Sequence, residues 1–120
     1  MAYDEKTAER VRHFLADQPG FHEKKMFGGI AFMVKGGMCC AVSRRGGILV
    51  RVGPEAVRLA KREPHVRPMI MGGRPAKAFV RVMPDGYRTT AQLRKWVKRA
   101  LDFLATLPAK PARRRGGKTE

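Results

Sequence analysis

Apolar runs broken by glycine doublets dominate the pattern of hydrophobic and polar positions along this chain. From Lys24 to Gly53 the sequence reads KKMFGGIAFMVKGGMCCAVSRRGGILVRVG. A glycine pair between apolar runs is a strong hairpin signal, because the favoured two-residue turns need positive φ. Gly36-Gly37 and Gly46-Gly47 therefore predict three consecutive antiparallel strands. Taking each doublet as the whole turn sets Phe32 against Ala41 and Ser43 against Val50. Directly opposed residues share a face. One face then collects Ile30, Phe32, Val34, Cys39, Ala41, Ser43, Ile48, Val50 and Val52, bulky on the outer strands and small on the middle one. A helix could lie in that trough. The other face collects Ala31, Met33, Cys40, Val42, Arg44, Leu49 and Arg51. Within it, Met33, Val42, Leu49 and Arg51 form a candidate self-association face, since contiguous apolar patches on a surface mark partners.

Helical periodicity flanks this meander. Asp4 can cap a helix running to about Gln18, with Ala8, Val11, Phe14 and Leu15 as its apolar stripe. His13 falls off the centre of that stripe and reads as a solvated or half-buried side chain. Gly28-Gly29 lie inside the first strand and suggest a bulge or a close backbone approach. Gly53-Pro54 opens a second helix, to about Arg62, with Val57, Leu59 and Ala60 facing inward. Pro68 to Met71 predicts a fourth strand, pushed to an edge by its proline. Ala76 to Met83 alternates as a fifth, Ala78, Val80 and Val82 on one side and Phe79, Arg81 and Met83 on the other. Thr89 and Gln92 have the spacing of a capping box. The helix they open carries Leu93, Trp96, Val97, Ala100, Leu101 and Leu104 as one stripe, which must pack against the sheet. The predicted fold is α+β, a two-layer α/β sandwich on a mainly antiparallel five-stranded sheet, in the order α-β-β-β-α-β-β-α. Residues 1–108 form the domain, and residues 109–120 are expected to be a disordered basic tail.

Composition changes this picture in two ways. At 120 residues the chain supports one modest core. Its net charge is +16, and residues 1–109 alone carry 21 basic and 9 acidic side chains. Such a balance favours encounters with polyanions. No apolar run reaches the roughly 18–20 residues that span a bilayer, and the N-terminus lacks a secretory h-region, so a cytoplasmic location and no membrane partner are expected. The two cysteines are adjacent; neighbours on a strand point to opposite faces, which predicts free thiols rather than a disulfide framework.

Candidate chemistry is sparse. Cys39-Cys40 is not C-x-x-C, and His13, His22 and His65 have no metal-ligand spacing relative to it. No Walker loop, G-x-G-x-x-G, Ser/His/Asp arrangement or pair of carboxylates is present. The expectation is a protein that is not an enzyme and needs no metal or cofactor. The best candidate is basic: Lys24, Lys25, Arg51, Arg67, Arg74 and Lys77 fall at strand ends or loops and could converge on an anion or a partner.

Several stretches together resemble the TfoX/Sxy N-terminal domain family: MAYDEKTAERVRHFL, EKKMFGGIAFMVKGGMCCAVS, VRVGPEA, PHVRPM, GRPAKAFVRV and the closing tryptophan helix. The likeness spans about residues 1–108, and its motif positions include Lys24, Lys25, Met26, Phe27, Gly28, Gly29, Cys39, Arg51, Arg67, Pro68, Gly72, Arg74, Pro75 and Lys77. It implies a fold similar to the secretion-chaperone-like α/β architecture. It also implies a role like that of the first half of regulators of DNA-uptake competence, or of short stand-alone proteins. Longer regulators carry a second, helical domain where this sequence has its basic tail, a departure from the competence regulators. The family offers no catalytic residues to carry over. Two readings follow: a binding or regulatory module acting on a protein partner or as a homodimer, and, alternatively, a basic accessory protein associated with nucleic acid.

Overall fold

A computed structural model describes residues 3–26, 28–71 and 73–107. The elements are α1 (Glu5–Leu15), β1 (His22–Met26), β2 (Gly29–Val34), β3 (Gly37–Val42), β4 (Ile48–Arg51), α2 (Pro54–Ala60), β5 (Val66–Met71), β6 (Arg74–Val82) and α3 (Thr90–Thr106). One antiparallel sheet runs in the order β1-β2-β3-β4-β6-β5. The fold is α+β as expected, with six strands rather than five. The predicted tail, residues 109–120, lies outside the described residues.

The sixth strand comes from dividing the predicted first one. Met26 pairs with Gly29, so the chain turns back at Gly28 and β1 lies beside β2. A Cβ on Gly29 would stand 2.2 Å from the Val42 carbonyl oxygen, so the two backbones approach closely there. Strand β1 is HEKKM, exposed or half-buried throughout, and shows no alternation to read. It is an edge strand, and its lysines discourage a second sheet from pairing there. Strand β5, with Pro68, is the other edge, as predicted.

Both turns of the meander depart from the predicted register. At the first, Lys35 and Gly36 are the two turn residues, both at positive φ, while Gly37 enters β3 opposite Val34. A bulge then leaves Cys39 without an opposed residue, and Phe32 faces Cys40 instead of Ala41. At the second, five residues connect β3 to β4: Ser43 N–H donates to the Gly47 carbonyl at 3.2 Å, and Val42 faces Ile48. Each slip is an odd number of residues, so the first turns β3 over and the second restores β4. Cys40 and Val42 therefore point to the helices and Ala41 away from them. The bulge also turns Cys39 inward, so both cysteines join the same core. The trough of small residues predicted under the helix is not there.

The core lies on one side of the sheet. Ala8, Val11 and Leu15 of α1, Val57 and Ala60 of α2, and Leu93, Trp96, Val97 and Ala100 of α3 share one cluster with Ile30, Phe32, Val34, Val50, Val80 and Val82. The N-terminal caps of α1 and α3 are as the sequence required, while α1 ends at Leu15, short of the expected Gln18. Asp4 accepts from Lys6 N–H at 3.0 Å, and the Thr89–Gln92 capping box is closed in both directions. Trp96 Nε1–H donates to the Gly86 carbonyl at 3.1 Å, tying α3 to the turn before it. Leu59 differs from expectation: α2 ends at Ala60, its buried positions are Val57 and Ala60, and Leu59 is 65% exposed.

An ion pair joins α1 to β1. The Arg12 guanidinium donates to both oxygens of Glu23, with Nη2 at 2.9 Å from Oε1. That hydrogen bonding holds the Glu23 carboxyl below the usual glutamate range. A depressed carboxyl contributes stability above its unfolded value, lost as pH falls through its folded one. Glu23→Gln should therefore lower the unfolding midpoint near pH 7, and the gap from the parent should close as pH falls through the depressed Glu23 value. Chemical denaturation at several pH values reads this directly; a gap that persists in acid would assign the loss to something other than the ion pair.

Candidate functional site

Strand alternation decides what the other side of the sheet carries. With Ile30, Phe32 and Val34 pointing to the helices, β2 sends Ala31 and Met33 the opposite way. The same parity sends Met38 and Ala41 of β3, Leu49 and Arg51 of β4, and Phe79 and Arg81 of β6 to that side. Ala31, Ala41, Leu49 and Met69 are buried there, with Met26, Met33, Met38, Ala76 and Phe79 packed around them. Every member of this second cluster is a strand residue. Among the described residues, no helix covers it.

One cross-strand row spans all six strands on this face: Lys24, Ala31, Ala41, Leu49, Arg81 and Arg67, each directly opposite the next. Its centre is apolar and its ends are cationic. Arg67 and Arg81 stand opposite each other, an arrangement of like charges that costs a sheet stability. Arg81 Nη1 donates to the Gly46 carbonyl at 2.7 Å, and burial pushes its guanidinium below the usual arginine value, with the Arg45 charge adding to the effect. Beside this row, Arg51 sits between two rings, its Cζ 5.9 Å from the centre of Phe79 and 5.4 Å from that of Phe103. Its Nε is buried without a hydrogen-bond partner.

The six basic candidates do not form one anion pocket. Lys24 and Lys25 are on one edge strand, while Arg67, Arg74 and Lys77 are on β5 and β6 at the far side. At about 4.8 Å between strands, β1 and β5 are roughly 24 Å apart. Lys24 and Arg67 share the helix-free face, Arg51 sits at its end against Phe103 of α3, and Lys77 lies where β6 shifts register against β5. Lys25, opposite Ile30, points to the helix side, and Arg74 pairs with Met71 where β5 turns into β6. Arg81 belongs with the first group and was missed, because its mid-strand position read as simple alternation. Of the candidate self-association residues, Met33 and Leu49 lie on the helix-free face and Arg51 at its end. Val42 does not: the one-residue slip places it in the helix-side core.

The strands carry a single carboxylate, Glu23, and it faces Arg12 on the helix side. None of the strand cations is ion-paired among the described residues; the salt bridges there are Arg12–Glu23, Arg88–Asp85, Lys98–Asp102 and Arg99–Glu63.

Other features offer less chemistry. Cys39 and Cys40 are free and buried, and a hydrogen bond between their side chains, together with burial, holds the Cys40 thiol well above its ordinary value. Such thiols are poor nucleophiles. No group of three or more His, Cys, Asp or Glu side chains among the described residues is placed to hold a metal, and no helix there is long and apolar enough to cross a membrane. A groove of about 420 Å³ between α2 and α3 is lined by Val52, Ala56, Leu59, Ala60 and Phe103, with the Arg99–Glu63 pair on its wall. Leu59 was its signal in the sequence, read as inward-facing.

Among known proteins, the model of the TfoX N-terminal domain matches residues 13–104 of the 120. No curated protein and no solved structure matches.

Proposed function

The chain belongs to the TfoX N-terminal domain family, and from that premise we propose that it is a non-enzymatic binding module whose working surface is the helix-free face of the sheet. One observation carries this reading: Met26, Met33, Met38 and Phe79 pack around a buried apolar centre that no described helix covers. Methionines suit such a surface, because three rotatable bonds and a polarisable sulfur let them repack against varied side chains. A regulatory role, of the kind held by the competence regulators the family includes, would be exercised through this contact. The alternative reading, a nucleic-acid-associated protein, is favoured by the cations on the same face.

Hydroxyl-radical footprinting of the methionines tests it. Met33 and Met38 should oxidise several-fold more slowly in a native extract than in the purified chain, because a protein partner covers them. Equal oxidation would contradict a contact at this face. Oxidation restored by nuclease treatment would transfer the reading to nucleic acid.

A further inference from the structure

Resting on that reading, we infer that the helix-free face receives an acidic polypeptide segment with apolar anchor residues, rather than nucleic acid or a second copy of this chain. Charge comes first. Lys24, Arg67 and Arg81 share the face, Arg51 sits at its end, and the one strand carboxylate, Glu23, points to the other side. A second copy would bring the same cations against them, and like charges brought together oppose association.

Local rules point the same way. Arg67 directly opposite Arg81 is an unfavourable cross-strand pair. Breaks of a local rule of this kind concentrate where a function uses them. A carboxylate from outside would turn that repulsion into two charge-assisted hydrogen bonds. The row through Ala31, Ala41 and Leu49 keeps the middle of the sheet low, with Met26 on one side and Met33 on the other to close over an apolar side chain. Bases, in contrast, need stacking platforms. The one aromatic side chain in this cluster is Phe79, and its ring already carries the Arg51 guanidinium.

Fluorescence anisotropy with the full chain tests this. The probes are three synthetic peptides with identical spaced Leu and Phe anchors, their other positions filled with Glu, Gln or Lys, and an oligothymidylate of similar charge to the Glu peptide. An exposed ion pair is worth about two- to fivefold in affinity. The Glu peptide should therefore bind about tenfold or more tighter than the Gln peptide across several cations. Arg67→Glu, at an exposed position, should shrink that ratio, and Lys24→Glu provides an independent variant at the other end of the row. Added salt should shrink it too. Equal binding of the Glu and Gln peptides would overturn the acidic partner while leaving a protein-binding face intact. Binding of the oligonucleotide alone would overturn both. No binding by any probe would also overturn the inference.

Discussion

Phe32→Ala should lower folding stability by about 3–5 kcal/mol, the range for deleting a fully buried phenylalanine. Phe32 is completely buried in the helix-side core and is stacked on Phe21, ring centres 6.2 Å apart with planes 13° from parallel. It sits on β2 opposite Cys40 and Glu23, where β1, β3 and α1 come together. A domain of this size has roughly 5–15 kcal/mol in total, so the loss removes a large part of the margin. Denaturant unfolding should show a much lower midpoint with an unchanged slope. A midpoint within experimental error of the parent would place Phe32 outside the core.

A paired substitution on β3 should separate the two faces even more sharply. Val42→Asp puts a carboxylate among Ile30, Ile48 and the helices, where Val42 is 1% exposed and no cation is opposed to it. An unpaired buried ion costs several kcal/mol, enough that the chain should fail to fold. Ala41→Asp, one residue earlier, points to the helix-free face in a row that ends in Lys24 on one side and in Arg81 and Arg67 on the other. Those cations offset part of its burial, so this variant should fold and lose far less. The doublet-centred register derived from the glycines alone predicts the reverse. Circular dichroism and denaturant titration of the two variants decide between the registers.

That contrast shows where the sequence was informative. The helices were legible because caps and stripes are local: Asp4, the Thr89–Gln92 box, and the run from Leu93 to Ala100 each depend only on near neighbours. The hairpins were legible for the same reason. Register was not, because Gly-Gly marks a turn without saying which of its residues are inside it. Lys35 takes a positive φ that a glycine would adopt more readily, and a bulge at Cys39 has no sequence signature here. Ser43, whose hydroxyl accepts from Arg45 N–H at 3.1 Å, was the available hint that the second loop is longer than two residues. Strand β1 had no periodicity to find.

The candidate site was half legible on the same grounds. The basic strand residues were found as a set, and so was the mixed character of the second face. Their convergence was not readable, since it depends on strand order: β6 inserts between β4 and β5 and carries Lys77 and Arg81 away from β1. Val42 was misplaced by register alone, and Arg81 became visible only when its neighbours across the sheet were known.

Thiol labelling under native conditions, followed by intact mass, tests most directly whether the helices clad one side only. The parent chain, with Cys39 and Cys40 both buried, should take up almost no label, while Met33→Cys should take up one label rapidly. A cysteine at position 33 protected as well as the native pair would contradict an uncovered sheet face, and with it the binding surface built on that face.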